Sequence, residues 1–405
     1  MKHLLMILDH FPPAFAPRMG YLCKYLKEMG WDAVALSVPH PTRNTGFEFL
    51  EGFAESHHID KCSNPLKDQL YGFAKLRPLW SKADEQMYRK AKQLTTERHF
   101  DAILCSTASF FPIYCASRIA EENRLPLLID LRDIYEQDSN FFSRNRLSKI
   151  LHNLQIRKRN RLLAKASAVS TISEWHKELL SRHNPNTTLI FNGFDESLFS
   201  FPKPSETDKF IITYTGSIPA NDKNPTRSPE LLFQAVDELI RQQSIDKDST
   251  LIRFFSDKDS QTYVNHFIQK YNLQAVAETN DWISAEKIPQ ILAESNILLI
   301  LSSENKTHGI VTTKLFEYMA SNREILCIPN SGGEIEKILS HANAGCCTNS
   351  LTELCNYLKF KYNEWQKKHF VEPHTERAFV ENFSRERQAM QFVNILNNII
   401  KNNNL

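Results

Sequence analysis

The chain of 405 residues holds only 11 glycines, less than half of the usual share of about 7%. It contains neither G-x-G-x-x-G nor G-x-x-x-x-G-K-[ST], which excludes the standard dinucleotide fingerprint and a Walker-type phosphate loop. Lysine plus arginine number 49 against 47 acidic residues, too even a balance for a general nucleic-acid binder, and no apolar run is long enough to span a membrane.

The length suggests two or three domains. Short apolar runs alternate with amphipathic stretches, the pattern of parallel strands with helices on both faces. In chain order, strands are expected at 4–8, 33–38, 102–106, 127–130, 168–172 and 188–191, with helices at 20–30, 113–122 and from 174. Residues 192–208 carry an Asn-Gly pair and the run Phe-Pro-Lys-Pro-Ser-Glu-Thr-Asp, a linker composition. The alternation then restarts. Strands are expected at 210–214, 250–255, 281–283, 297–301 and 325–328, helices at 229–242 and 313–321, and a long helical region closes the chain. Two α/β domains of this kind form a cleft, with ligands beyond the carboxyl ends of the strands.

The first five apolar residues run straight into Asp9, too short a core for a signal peptide, so a cytoplasmic location is expected. Eight cysteines show no C-x-x-C or zinc spacing and read as buried thiols of a reducing compartment. The 14 histidines show no metal-ligand spacing, and no metal site is expected.

Five segments carry chemistry. In the first, Phe11-Pro-Pro-Ala-Phe-Ala-Pro-Arg-Met-Gly20 opens a helix. Arg18 there reads as an anion or sugar contact, or as a surface ion pair, and Gly20 permits close approach. In the second, the buried strand Leu127-Leu-Ile-Asp130-Leu-Arg132-Asp133 ends in three charges. Alternation puts Asp130 and Arg132 on one face and Asp133 on the other. They read either as a structural Asp–Arg pair or as acceptor-hydroxyl binding with one aspartate as base. In the third, Tyr214-Thr-Gly216-Ser217 runs into a turn whose amides suit a phosphate, with Lys223 supplying charge.

The fourth segment, from Ser302 through Gly309, Thr312, Thr313, Lys314 and Glu317 to Ala320, is a strand, a polar loop and a helix. Either threonine can cap the helix, whose N-terminus favours a diphosphate. Lys314 and Glu317 share a helix face; they suit phosphate charge and ribose hydroxyls, or else form an i,i+3 ion pair. The fifth is a stretch from 139 to 173 without an acid, holding Arg157, Lys158, Arg159 and Arg161 among leucines at helical spacing. It reads as a helix on an anionic membrane surface, as the solvated face of a core helix, or as a nucleic-acid patch, which the overall charge disfavours.

The order of these motifs resembles the retaining family 4 glycosyltransferases of the GT-B fold. The resemblance rests on Phe11-Pro12-Pro13, Ile129-Asp130-Leu131-Arg132-Asp133, Thr171-Ile-Ser173, Asn192-Gly193-Phe-Asp195, Tyr214-Thr-Gly216-Ser217, Lys314-Leu-Phe-Glu317-Tyr-Met-Ala320 and Phe383-Ser-Arg-Glu386. It implies two Rossmann-like domains with parallel sheets facing across a cleft. The acceptor domain would span 1–200 with a crossing-back helix at 380–405, and the donor domain 206–379.

The implied reaction moves a sugar from a nucleotide-diphosphate sugar to an acceptor hydroxyl, with retention and without a required metal or other cofactor. Surface polysaccharide or glycolipid assembly is the implied setting, on a lipid-linked or saccharide acceptor, with peripheral contact at the inner face of the cell membrane and no nucleic-acid partner. Catalytic candidates are Asp130, Arg132 and Asp133. Donor-binding candidates are Gly216, Ser217, Lys223, Gly309, Thr312, Thr313, Lys314 and Glu317, with Trp282 at the nucleobase. Arg18 and Gly20 would line the acceptor side. The family's paired-glutamate motif would put a glutamate at 309, where this chain has Gly309. The competing reading is a non-transferring relative, a sugar-nucleotide epimerase or binding protein.

Overall fold

The computed structural model describes residues 1–14, 16–39, 46–60, 71, 79–137, 146–218, 227–302, 309–330 and 332–403. The chain divides into two compact units.

The first unit is built on a parallel sheet of seven strands: β1 (Lys2–Leu8), β2 (Trp31–Ser37), β3 (Glu55–His58), β4 (Ala102–Thr107), β5 (Leu127–Leu131), β6 (Ala168–Thr171) and β7 (Thr187–Leu189), in the order β3-β2-β1-β4-β5-β6-β7. Its helices are α1 (Pro17–Leu26), α2 (Lys82–Glu97), α3 (Ile113–Asn123), α4 (Arg146–Leu163) and α5 (Glu174–Ser181). The central strands are apolar along their whole length because both faces are covered. Leu5, Ile7, Ile103 and Ile129 pack on one side; Leu4, Met6, Leu104 and Leu128 pack on the other. Pro17 stands in the first turn of α1, where a missing N–H costs nothing.

The second unit has a six-stranded parallel sheet in the order β10-β9-β8-β11-β12-β13. Its strands are β8 (Phe210–Thr215), β9 (Thr250–Phe255), β10 (Ala277–Asn280), β11 (Ile297–Leu301), β12 (Glu324–Ile328) and β13 (Gly345–Cys347). Its helices are α6 (Glu230–Arg241), α7 (Lys258–Lys270), α8 (Ile288–Ala293), α9 (Thr313–Ala320), α10 (Glu334–Ala342), α11 (Leu351–Lys368) and α12 (Arg377–Val380). The last helix, α13 (Arg385–Asn403), belongs to the first unit, where Ala389, Phe392, Leu396 and Ile399 join the core under α1. Both sheets reverse their strand order once, between β1 and β4 and between β8 and β11. Such a switch point leaves a crevice at the carboxyl ends of the strands.

One expected strand is displaced. The 281–283 segment is not extended; the strand is Ala277–Asn280, paired with β9 up to Asn280 opposite Phe255. Asp257 begins α7 just beyond β9, so residues 281–283 have no strand to pair with. Among the described residues no helix is long and apolar enough to cross a membrane, and no cluster of metal-ligating side chains occurs.

Candidate functional site

In the second unit the switch point gathers much of the expected donor-binding set. β8 ends at Gly216, whose φ of +109° is a conformation that side chains resist. The turn is anchored on both flanks. Tyr214 Oη donates to the Ser217 carbonyl at 2.9 Å, and Ser260 Oγ accepts from the Ile218 amide at 2.8 Å. Burial works against the Asp257 carboxylate, but hydrogen bonds from Ser217 and Ser260 outweigh it and hold its pKa below the usual value. Ser217 is therefore a brace between the turn and α7.

Helix α9 enters from the other side of the switch. Its N-cap residue is Thr312, in extended conformation, and no side chain caps it. That corrects the expectation of a threonine cap. The first turn keeps its field for an outside acceptor. Tyr318, fully buried, accepts from the Thr215 amide at 3.1 Å and so pins α9 to the end of β8.

This places the Lys314 ammonium over the Tyr214 ring, 4.9 Å from its centroid. A Cβ added to Gly216 would lie 2.6 Å from that Nζ. Lys314 makes no ion pair among the described residues, with Glu317 or any other acid. Thr313 and Glu317 are half-buried on the same helix, and Trp282 is 42% exposed in the loop after β10. Lys223 lies outside the described residues. Gly309 has φ +69° and is counted with the first unit, apart from the other donor candidates.

In the first unit two expected acceptor groups are structural instead. Asp130 is fully buried. Arg18 grips it with two bonds, Nε to Oδ2 at 3.1 Å and Nη2 to Oδ1 at 3.0 Å, and Ser106 and Ser170 each donate at 2.8 Å. Arg18, itself buried, also donates to the Ile190 and Phe191 carbonyls and stacks against Phe392. A carboxylate held by four donors has no room to take an acceptor proton, so the catalytic reading of Asp130 and the ligand-contact reading of Arg18 are corrected. Gly20 is buried too; a Cβ there would lie 2.5 Å from Pro12 Cγ, so it serves loop packing.

Strand β5 stops at Leu131, and the expected alternation stops with it. Arg132 turns away from Asp130 and binds Asp9, with Nη2 at 2.5 and 2.6 Å from the two carboxylate oxygens. Asp9 directly follows β1 at the switch point and also accepts from the Thr107 hydroxyl and the Ala108 amide, at 3.2 and 3.0 Å. Motif reading missed Asp9; an acid closing an apolar strand was the available signal. Asp133 is half-buried, accepts from Gln137 at 2.7 Å, and has its pKa raised by burial. Of the three catalytic candidates it is the carboxylate suited to proton transfer.

The basic helix α4 splits its four cations. Arg157 and Arg161 are exposed on the face that carries exposed Ile150 and Leu154, at 57% and 46%. Lys158 Nζ lies 4.2 Å from the Tyr114 ring centroid. Arg159 is buried in a two-pronged pair with Glu136, at 2.9 and 2.6 Å, which removes it from the expected membrane surface.

No protein-family model matches the chain, and no curated protein matches it in sequence. Solved structures do. HepE of Anabaena, in complex with UDP and glucose, gives a TM-score of 0.67 at 14% identity, covering 97% of this chain and 99% of its own. Sucrose-phosphate synthase of Thermosynechococcus elongatus gives 0.68 at 13% identity, covering 99% and 100%. The lipopolysaccharide outer core galactosyltransferase WaaB gives 0.62 at 10% identity, covering 97% and 99%. Likeness at these identities establishes the fold, the GT-B class of two parallel α/β units.

Proposed function

We propose that this chain is a glycosyltransferase that moves a sugar from a nucleoside-diphosphate sugar to an acceptor hydroxyl, with retained anomeric configuration. One observation carries the reading: a lysine without an acidic partner among the described residues, set against a glycine turn and the uncapped N-terminus of α9, at the switch point of a parallel sheet. Fixed positive charge of that kind suits a diphosphate leaving group, whose charge grows as the glycosidic bond breaks.

In this reading the second unit holds the donor. Lys314, Thr312 and Thr313 meet the diphosphate, Glu317 the ribose hydroxyls and Trp282 the base. The first unit receives the acceptor, with Asp133 taking its proton and the Asp9–Arg132 pair shaping the crevice floor. No metal is needed to meet the leaving-group charge, so activity is expected to survive EDTA. The complexes of HepE with UDP and with UDP-glucose support uridine nucleotides as the first probes, and the name of WaaB supports a surface-glycan acceptor. The exposed Ile150, Leu154, Arg157 and Arg161 face suits peripheral contact with anionic lipid at the inner face of the cell membrane.

Calorimetric titration with UDP-, GDP- and dTDP-linked hexoses, followed by product analysis with lipid-linked acceptors, tests this. Absence of nucleotide binding at millimolar concentration would overturn it. Donor isomerised without any acceptor would instead favour an epimerase on the same fold.

A further inference from the structure

In the second unit the ladder of β9 and β10 ends at Asn280, opposite Phe255, and the Ser256 amide adds a last bond to the Asn280 carbonyl at 3.1 Å. Beyond it the two chains part. Asp257 caps α7, and residues 281–283 run on with no paired strand among the described residues. The side chain of Gln261, one turn into α7, stands in for the missing rung. Its Nε2 donates to the Ser256 carbonyl at 2.9 Å, the Asn280 carbonyl at 3.0 Å and Asp281 Oδ1 at 3.1 Å. Lys258, in the same turn, pairs with Asp281 and donates to Gln261 Oε1 at 3.4 Å. A side-chain amide has two hydrogens to give. Both are committed within the protein, so Gln261 acts on a ligand only through the segment it holds.

The glycine turn after β8 hangs from the same helix start by different groups. Ser260 Oγ accepts from the Ile218 amide at 2.8 Å, and Asp257 takes hydrogen bonds from Ser217 and Ser260. The first turn of α7 therefore carries two separate tethers. One goes to the turn proposed to meet the diphosphate, the other to the segment that bears Trp282, which is 42% exposed. An untethered segment samples many positions, and ordering it on binding costs conformational entropy. The bonds of Gln261 meet that cost before any ligand arrives.

We propose that Gln261 is a positioning residue for the nucleobase: it fixes the 280–282 segment at the end of β9 so that Trp282 stacks on the base, while separate anchors hold the diphosphate turn. The inference rests on the glycosyltransferase reading, with Trp282 as its base contact, and adds the group that sets that contact in place. Stacking of a base on an aromatic side chain is worth about tenfold in affinity, and a ring not held in place forfeits much of it. Gln261→Leu and Gln261→Met keep the bulk of the side chain and remove both hydrogens. The Asn280 carbonyl keeps its bond from the Ser256 amide, so β10 stays on β9.

The test titrates the full chain and its Gln261→Leu, Gln261→Met and Trp282→Ala variants with inorganic diphosphate and with whichever of UDP, GDP and dTDP wild type binds most tightly. All three variants are expected to bind the nucleotide about tenfold more weakly and inorganic diphosphate as wild type does. That change in the ratio of two affinities is one that a general loosening of the fold would not produce. Gln261→Leu in a Trp282→Ala background should add less than about twofold, because both changes remove one contact. Hydrogen exchange of the 281–283 amides should speed up in Gln261→Leu, and that of Ile218 should not. Lys258→Met, at an exposed position, weakens the same tether and should lower the ratio about twofold, which keeps the test open if the Gln261 variants do not fold. A wild-type chain that binds no nucleoside diphosphate overturns the glycosyltransferase reading as well. A wild-type chain that binds one, with Trp282→Ala equal to it, overturns the placement of the base and this inference with it. Trp282→Ala weakened tenfold, with the Gln261 and Lys258 variants equal to wild type or weakened equally toward inorganic diphosphate, overturns this inference alone.

Discussion

Replacing Arg18 by methionine keeps its length and removes its charge. The consequence follows from what Arg18 holds: both oxygens of a fully buried Asp130 and the carbonyls of Ile190 and Phe191. Ser106 and Ser170 would remain as donors to Asp130, but no cation would. Breaking one side of a buried ion pair costs about 3–5 kcal/mol, because a charge is left in a medium that solvates it poorly. A unit of about 200 residues loses roughly 2–4 °C of melting temperature per kcal/mol, so Arg18→Met should melt about 6–20 °C lower. Asp130→Leu alone leaves Arg18 uncompensated and should fall in the same range. The double variant Arg18→Met/Asp130→Leu should lose much less than the sum, since replacing a buried pair by apolar groups is often near neutral. Scanning calorimetry on the four proteins measures the coupling, and nucleotide titration on the same samples shows whether the second unit is untouched. The reasoning fails if Asp130→Asn melts within a degree or two of wild type while turnover falls a hundredfold. That pattern would return Asp130 to the chemistry.

Three further outcomes are expected. The His176 pKa is lowered by burial from its ordinary 6.5 to about 4, so the unfolded chain binds this proton more readily than the folded one. The resulting stability is full above about pH 6.5 and is lost as pH falls through 4, to a limit of about 3 kcal/mol. Urea midpoints at pH 7 and 4.5 should therefore converge more for His176→Phe than for wild type, and equal acid sensitivity would refute the assignment. Gly216→Ala combines a strained φ with a methyl 2.6 Å from Lys314 Nζ, so nucleoside-diphosphate affinity should fall about tenfold, the 1.4 kcal/mol scale of one displaced charge contact; calorimetric titration at constant ionic strength reads it. Reversing Arg157 and Arg161 to glutamate should abolish sedimentation with anionic vesicles at unchanged melting temperature, whereas Arg159→Glu should destabilise the fold by setting a buried acid against half-buried Glu136 without the Arg159 cation. Undiminished sedimentation of the double reversal would remove the membrane proposal.

The fold was readable because parallel sheets covered on both faces require unbroken apolar strands, and Leu4–Leu8 and Ile297–Leu301 are short apolar runs of that kind. The segment that misled, 281–283, is short and half polar, and its fate was decided by where β9 ends. Periodicity within the segment carries no such information. The same division runs through the site. Gly216 and Lys314 are nearly 100 residues apart in sequence, yet each stood out through a local rule, a strand-end glycine and a helix-start lysine. Their meeting follows from adjacent strands at a switch point.

Charge partners were harder to read because pairing is a long-range fact. The sequence Asp130-Leu-Arg132-Asp133 offers a local Asp–Arg pair, but Asp130 takes its arginine from α1 and Arg132 takes its acid, Asp9, from just beyond β1. The deciding quantity is desolvation. A carboxylate in mid-strand between two covered faces must be fully paired wherever the partner lies, while one just past the strand end, such as Asp133, keeps enough water to titrate. Read that way, three charges in four residues are two structural ion pairs and one half-buried carboxylate that accepts from Gln137. The glycine economy of the chain obeys the same logic: Gly216 and Gly309 stand where a side chain would strike Lys314 or His176. A scarce glycine is in both cases the residue beside which a polar side chain packs too closely for a Cβ.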